Sequence, residues 1–252
     1  MQEQTVKNMV VHFDLLSASQ DLLKARALQK RVDTKFLVAL DDFEYVLSAC
    51  QETYALVKAQ DREIARYRTR YWDTKDLQCL SDHHRGRRPR YKFRFRHYID
   101  RQKTYFEVKA KTPANRTRKT RLRVDYGQED LGAKETTLVE RCSAMDATLL
   151  KPGLGIEFSR LMLVGIDSME RATFDINFRA KEGDRQATFP HVVIAELKQA
   201  RFVARSPMML LLRKYGRRID SMSKYCVGSM LVRPGVSLQR YKPTLRLLRS
   251  MS

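Results

Sequence analysis

An alternating basic block between residues 85 and 123 constrains the fold more than any other feature of this sequence. It contains sixteen Lys and Arg residues and two acidic residues. In Arg90–Arg96 every second residue is cationic and those between are aromatic, which is the period of a strand with one charged and one apolar face. The period recurs in Tyr105–Lys111 and Lys119–Val124. We therefore predict three strands that each present a row of cations.

Further segments bring the number of strands with charged faces to at least six. Alternation is present in Arg31–Val38, Ile64–Asp73 and Ala172–Arg179, and strands are also predicted at Ile156–Val164 and His191–Lys198. So many cationic faces on one side of an open sheet would repel one another. A closed antiparallel barrel of about eight strands, with a water-filled charged interior and helices packed on the outside, avoids this repulsion. The predicted fold class is therefore α+β.

Helices are predicted between these strands. Their ranges are residues 14–29, 41–58 and 131–150, with a fourth helix that begins at Ser206-Pro207 and ends at Gly216. A short strand is predicted near Leu77–Leu80, and a hairpin turn at Gly183-Asp184.

Charge and composition restrict the class of partner. The net charge of +20 and the pI near 10.0 imply an anionic partner, which can be nucleic acid, a polyphosphate-like molecule or an acidic membrane surface. The four cysteines form no CxxC pair, which excludes the common zinc and redox motifs and favours reduced thiols in a cytoplasmic protein. No apolar run is long enough for a transmembrane segment, so none is expected.

The cationic rows have two interpretations. One such strand is typical of a solvated face, whereas three in succession favour an anion site. Phosphoryl transfer depends mainly on positioning and charge stabilisation. Rows of Lys and Arg on rigid strands can supply both, and the sequence contains no GxxxxGK[ST] motif.

Six segments occur in the order found in the VTC (vacuolar transporter chaperone) polyphosphate polymerase domain. They are Arg31–Phe36, Tyr67–Thr74, Phe106–Lys111, Thr173–Asp175, Glu196–Lys198 and Ser223–Tyr225. The chain thus resembles that family over residues 31–228, with a helical segment at 1–30 and a basic tail at 229–252. The resemblance implies the fold of the triphosphate tunnel metalloenzymes, an eight-stranded barrel around a basic tunnel. It also implies transfer of the ATP γ-phosphoryl group to inorganic polyphosphate with Mn²⁺ or Mg²⁺.

The resemblance and the cationic rows together assign the candidate site residues. The basic residues expected to be catalytic are Lys35, Arg94, Arg96, Lys109 and Lys224. Those expected to bind substrate are Lys92, Lys111, Lys119, Arg121, Arg160, Arg171 and Lys198. Glu196 matches the metal-ligating glutamate of the family, and Glu107 is the second candidate ligand. A structural ion pair with Lys198 or with a neighbouring arginine is the alternative role for Glu196.

One departure separates the chain from the related tunnel triphosphatases. Those enzymes begin with glutamate-x-glutamate-x-lysine, whereas the equivalent positions here are Arg31, Asp33 and Lys35. The loss of an acid favours the polymerase branch, whose partners are ATP and inorganic polyphosphate and not nucleic acid. A tunnel-type triphosphatase, a polyphosphate sensor without turnover and a non-enzymatic nucleic-acid-binding protein stay open as alternatives. The oligomeric state is left open.

Overall fold

The computed structural model describes residues 2–28, 31–114, 116–219 and 222–251. Within these ranges the helices are α1 (Gln2–His12), α2 (Gln20–Ala25), α3 (Leu40–Ser48), α4 (Gln78–Arg85), α5 (Ala133–Cys142), α6 (Pro207–Tyr215), α7 (Lys224–Val232) and α8 (Lys242–Ser250). The strands are β1 (Val32–Ala39), β2 (Tyr54–Leu56), β3 (Ile64–Thr74), β4 (Arg90–Tyr98), β5 (Lys103–Lys111), β6 (Thr117–Val124), β7 (Leu150–Gly165), β8 (Glu170–Glu182), β9 (Arg185–Phe189), β10 (Val192–Gln199) and β11 (Gly216–Ile219).

All of these strands belong to one antiparallel sheet. Its main path runs β11-β1-β10-β8-β7-β3-β4-β5-β6, while β2 pairs with β7 and β9 pairs with β8. The α+β class and the antiparallel sheet are thus confirmed. A closed barrel of about eight strands is not, because the described sheet has eleven strands and no backbone pairing joins its terminal strands β6 and β11.

Helices cover the outer face of the sheet. The aromatic residues Phe93, Phe95 and Phe106 of β4 and β5 are fully buried in a cluster to which α5 contributes Leu138 and Val139. On the other half of the sheet, α1, α3 and α6 pack over the apolar faces of β1, β8 and β10. Because the apolar faces of β1, β4, β5, β8 and β10 are buried on this side, the charged faces of these strands point to the concave side.

Helix α7 lies on the concave side and fills one end of it. Gly228 is so close to β7 and β8 that an added Cβ would lie 2.7 Å from Ile156 Cδ1 and 3.4 Å from Ala180 Cβ. Tyr225 stacks on Tyr71 of β3, with ring centroids 4.8 Å apart. This contact with three strands fixes the N-terminus of α7 against the charged rows.

Four sequence predictions of secondary structure differ from the observed elements. The predicted strand at Leu77–Leu80 is wrong, because Asp73 accepts hydrogen bonds from the backbone N–H groups of Cys79 and Leu80 and stabilises the start of α4. The helix predicted over 14–29, which runs beyond the described residues, is confined to α2, and a separate helix, α1, precedes it. The helix predicted over 41–58 ends at Ser48, and that predicted over 131–150 is confined to α5 and a short turn of 3₁₀ helix.

Both ends of the described chain pack against the sheet. Val6 and Val10 of α1 are buried, and Gln2 donates to the Val192 carbonyl. Leu245 and Leu248 of α8 are buried in the cluster that contains α7. The proposed division at residues 30 and 228 stays a prediction. In the described ranges no helix is both long and apolar enough to cross a membrane.

Candidate functional site

A buried ion cluster lies at the centre of the wall formed by β4, β5 and β6. Arg94 donates two hydrogen bonds to Glu107, at 2.8 and 2.6 Å, and Lys119 forms an ion pair with the same carboxylate. Glu107 is fully buried. Burial alone would raise its pKa, but the charges of Arg94, Arg96 and Lys119 lower the pKa to about 2. Glu107 is therefore ionised and holds two cations in place.

A second ion cluster lies on the wall formed by β1 and β10. Glu196 is 3.3 Å from the Lys35 ammonium and 3.0 Å from that of Lys198. Lys198 also donates to Thr173 Oγ1 at 3.1 Å. Burial opposes ionisation of Glu196, yet the neighbouring Lys198, Lys35 and Arg160 hold its pKa well below the usual range. The structure thus places Lys35, Glu196 and Lys198 in one group.

The third cluster joins the sheet to α7. Asp175 accepts two hydrogen bonds from Arg160, at 2.5 and 2.8 Å, and forms an ion pair with Lys224. Phe158 lies below both cations, with its ring centroid 5.2 Å from Arg160 Cζ and 4.9 Å from Lys224 Nζ. Asp175 is only 2% exposed, so this cluster fixes the position of Lys224.

The two walls face each other across a basic channel. Lys109 on β5 interacts electrostatically with Glu196 on β10 and Lys35 on β1, although β5 and β10 are five positions apart in the sheet. Lys92 on β4 also interacts with Lys35, and its ammonium donates to Ser223 Oγ at 2.8 Å. The curved sheet therefore brings cations from separate strands around one space, which is called the basic channel below.

The remaining predicted residues line the channel or its rims. Arg96 donates to Thr69 Oγ1 and lies over the rings of Tyr67 and Phe158. Arg121 lies 4.9 Å from the centroid of the Tyr105 ring on the same face as Glu107 and is exposed. Lys111 and Arg171 do not come together, because they lie at opposite ends of the channel, next to Arg90 and Lys198 respectively.

The arginines of β3 lie on the face opposite to the predicted one. The barrel predicted from the sequence has the charged face of each alternating strand inside, whereas Arg66, Arg68 and Arg70 lie on the outer face. Arg66 binds Asp100 at 2.8 Å, and Arg68 and Arg70 lie 3.6 and 3.1 Å from Glu129. These acids neutralise the outer arginines, and neither acid is next to them in sequence.

Tyr67, Thr69 and Tyr71 occupy the inner face of β3 in their place. Sequence reasoning missed these residues and also Phe158 and Asp175 as parts of the site. Tyr71 Oη lies 3.3 Å from an Arg94 nitrogen, and Tyr67 stacks on Phe158 with centroids 5.1 Å apart. The sequence feature that could have identified them is the Tyr-x-Thr-x-Tyr alternation. Side chains of these types can orient arginines by hydrogen bonds and cation–π contacts.

The two candidate metal ligands fit a divalent cation differently. In the described ranges no group of three or more His, Cys, Asp or Glu residues is arranged to hold a metal ion. The Glu107 carboxylate is fully buried, and its oxygens are paired with Arg94 and Lys119, which leaves it inaccessible to a cation in the channel. Glu196 is 21% exposed, and a Mg²⁺-like ion can be held by one carboxylate when phosphate oxygens supply further ligands. Glu196 therefore fits, whereas Glu107 does not.

The first prediction concerns the two lysines that lie between the walls. Partial loss of hydration lowers the pKa of Lys92 and of Lys109 to about 8. Both ammonium groups therefore lose their charge as the pH rises through that value. We expect the affinity for tripolyphosphate to fall roughly tenfold between about pH 7 and about pH 9.5. Isothermal titration calorimetry across this range measures the effect.

Lys109→Arg is the matched variant, because a guanidinium keeps its charge in this range. Its affinity should depend less on pH than that of the wild type. A flat wild-type profile would show that these lysines do not contact the anion.

A family model described as the VTC domain matches residues 30–233. No curated protein matches. A protein of Bacillus halodurans, provisionally assigned as an adenylate cyclase, has 14% identity and a TM-score of 0.50, covering 77% of this chain and 95% of that chain. This likeness shows a shared fold.

A second structure comes from Hippeastrum. It is provisionally assigned as an adenylyl cyclase and described as having a dominant triphosphatase activity. Its identity is 13% and its TM-score 0.49, and the match covers 81% of this chain and 98% of that chain.

Proposed function

Because this chain belongs to the VTC domain family, we propose that it transfers the γ-phosphoryl group of ATP to inorganic polyphosphate in the basic channel. Family membership supports an enzyme that acts on triphosphates. The proposal of polyphosphate synthesis rests mainly on one observation: Lys35, Arg94 and Lys109 come from two facing walls and lie around the same channel. A chain of phosphates is a ligand whose regularly spaced charge can meet cations on both walls.

The channel residues have separate roles in this proposal. Arg94, held by Glu107, binds non-bridging phosphate oxygens and stabilises the charge that they carry during transfer. Lys35, Lys92 and Lys109 position the donor and acceptor phosphates in line. Such positioning can supply a large part of the rate enhancement, because phosphoryl transfer needs little covalent help from the protein.

Further cations line the channel beside β3, β7 and α7; they are Arg96, Arg160 and Lys224. Lys119, Arg121, Lys111, Arg171 and Lys198 bind phosphates further from the reacting centre. A divalent ion, Mn²⁺ or Mg²⁺, would be held by Glu196 and would neutralise charge on the phosphates when bound. Glu107 is assigned a positioning role and not a metal-binding one, because Arg94 and Lys119 already occupy its carboxylate.

Incubation of the protein with ATP, Mn²⁺ and a short polyphosphate primer tests for polyphosphate synthesis. Long phosphate chains should appear on a gel, together with ADP. Glu196→Gln keeps the size of the side chain and removes its charge, and we expect it to lower the rate at least about a hundredfold. Glu157→Gln, an exposed glutamate on the outer face of β7, is the matched control and should retain wild-type activity.

Each of three other results would assign a different function to the protein. Free phosphate without chains would identify a tunnel-type triphosphatase. Neither product, with tight binding of polyphosphate, would indicate a sensor. Nucleic acid that is not displaced by tripolyphosphate would indicate a non-enzymatic nucleic-acid-binding protein. Wild-type activity in the Glu196→Gln variant would show that Glu196 is not the metal ligand.

A further inference from the structure

Exposed apolar side chains gather at one end of the sheet. Ten large apolar residues in the described ranges are exposed, and five of them lie in this region. These are Val32, Met169, Phe202, Val203 and Leu210, which are 41% to 51% exposed. Val32 pairs with Gln199 at the end of β1 and β10, and the others lie on the loop before β8, on the loop after β10 and on α6. Single exposed apolar residues are ordinary, but such a cluster indicates a binding surface.

The loop after β10 is held so that its apolar tip points outward. The side-chain amide nitrogen of buried Gln199 lies within hydrogen-bonding distance of Glu170 at 3.1 Å, of the Val203 carbonyl at 3.2 Å and of the Ser206 hydroxyl at 2.8 Å. The Val203 N–H donates back to Gln199 at 3.3 Å. These contacts hold both ends of the loop, at Gln199 and Ser206, while Phe202 and Val203 are exposed at its tip.

An apolar cavity adjoins this tip. Its volume is about 630 Å³, and Met169, Val203 and Pro207 are among its lining residues. Glu170 also lines it, but this carboxylate is 1% exposed and accepts hydrogen bonds from Tyr54 and from the Met208 N–H. The cavity therefore presents mainly apolar surface, although an acidic residue is part of its wall.

Cations surround the apolar tip. Residues 200–219 include six Lys and Arg and no Asp or Glu. Arg201, Arg205, Arg213 and Arg218 are exposed. Arg218 lies 5.9 Å from the centroid of the Phe202 ring, and Arg213 donates to the Ala204 carbonyl at 3.1 Å. These contacts place the charge at the same surface as the exposed apolar residues.

We propose that this surface, formed by the loop at residues 200–206 and the start of α6, docks the protein on an anionic lipid membrane. Exposed aromatic and aliphatic side chains enter the interface between headgroups and acyl chains, while the arginines bind anionic headgroups. A soluble polyanion would match the charges but would leave Phe202 and Val203 in water. Neither the channel residues nor the proposed reaction takes part in this docking.

Flotation of the full chain with lipid vesicles tests the proposal. The protein should float with vesicles that contain phosphatidylglycerol and not with phosphatidylcholine alone, and added salt should weaken the binding. The double variant F202S/V203S should bind at least about tenfold more weakly, because the apolar contribution is lost. R201Q/R205Q should also bind more weakly and with a smaller dependence on salt.

Leu149→Ser is the matched control, since Leu149 is 57% exposed and lies outside this surface. It should bind vesicles like the wild type, and thermal unfolding checks that all variants are folded. The proposal is overturned if the wild type ignores anionic vesicles or if F202S/V203S binds as well as the wild type. A wild-type dimer that F202S/V203S converts to a monomer, without vesicle binding by either, would instead assign the surface to a second copy of the chain.

Discussion

Arg94→Ala is expected to lower the free energy of unfolding by about 3–5 kcal/mol and the rate of ATP-dependent phosphoryl transfer at least about a hundredfold. The loss of stability has a direct cause. Glu107 is fully buried, and Arg94 donates two hydrogen bonds to it, at 2.6 and 2.8 Å. Removal of the guanidinium leaves a buried carboxylate with Lys119 as its remaining ion-pair partner. Urea unfolding and the gel assay measure the two effects.

The double variant R94A/E107Q separates stability from catalysis. A neutral amide has no charge to compensate, so the double variant should recover a large part of the lost stability. Its activity should stay low, because no guanidinium contacts the phosphates. Arg68→Ala is the matched control: this arginine is on the outer face and 46% exposed, so both quantities should change little. Recovery of activity in the double variant would show that Arg94 acts only by stabilising the fold.

Asp175→Asn is expected to lower the free energy of unfolding by about 3–5 kcal/mol at neutral pH. Asp175 lies between Arg160 and Lys224, and it is 2% exposed. Without its charge, two cations remain next to each other in a poorly hydrated site. Lys224 would then move or lose its proton. Urea unfolding at neutral pH measures the loss of stability. Asp184→Asn, in the exposed hairpin turn, is the control and should cause almost no change.

The difference between the wild type and Asp175→Asn should shrink in acid. Burial alone would raise the pKa of Asp175, but the charges of Arg160 and Lys224 lower this pKa from 3.8 to about 2. A carboxylate with a lowered folded-state pKa stabilises the protein above its unfolded-state pKa, and this contribution is lost as the pH falls towards the folded-state pKa. The difference should therefore decrease by roughly 1.5–2 kcal/mol between about pH 4 and pH 2. An equal difference at both pH values would contradict this assignment.

Local periodicity predicted much of the channel. In β4 and β5 the alternation assigns Lys92, Arg94 and Lys109 to one face, and the aromatic residues under α5 confirm it. The family resemblance added the order of the segments and the candidate role of Glu196. It also identified Lys224, which lies on a helix and so has no strand period to reveal its face.

The errors arose where distant residues decide which face is buried. Alternation in β3 offers an arginine face and a tyrosine face, and the sequence alone does not say which one is inside. The arginines face outward because Asp100 and Glu129 come from later parts of the chain. Similarly, Asp73 turns the predicted strand at Leu77–Leu80 into helix α4 by accepting backbone hydrogen bonds, which periodicity does not detect.

A crystal structure of the chain with tripolyphosphate tests most directly whether the two walls form one phosphate site. Phosphate density is predicted between Arg94 and Lys109 on one wall and Lys35 on the other. Tripolyphosphate bound only on the outer face, beside Arg66 or Arg68, with none between the walls, would contradict the channel and the reaction proposed for it.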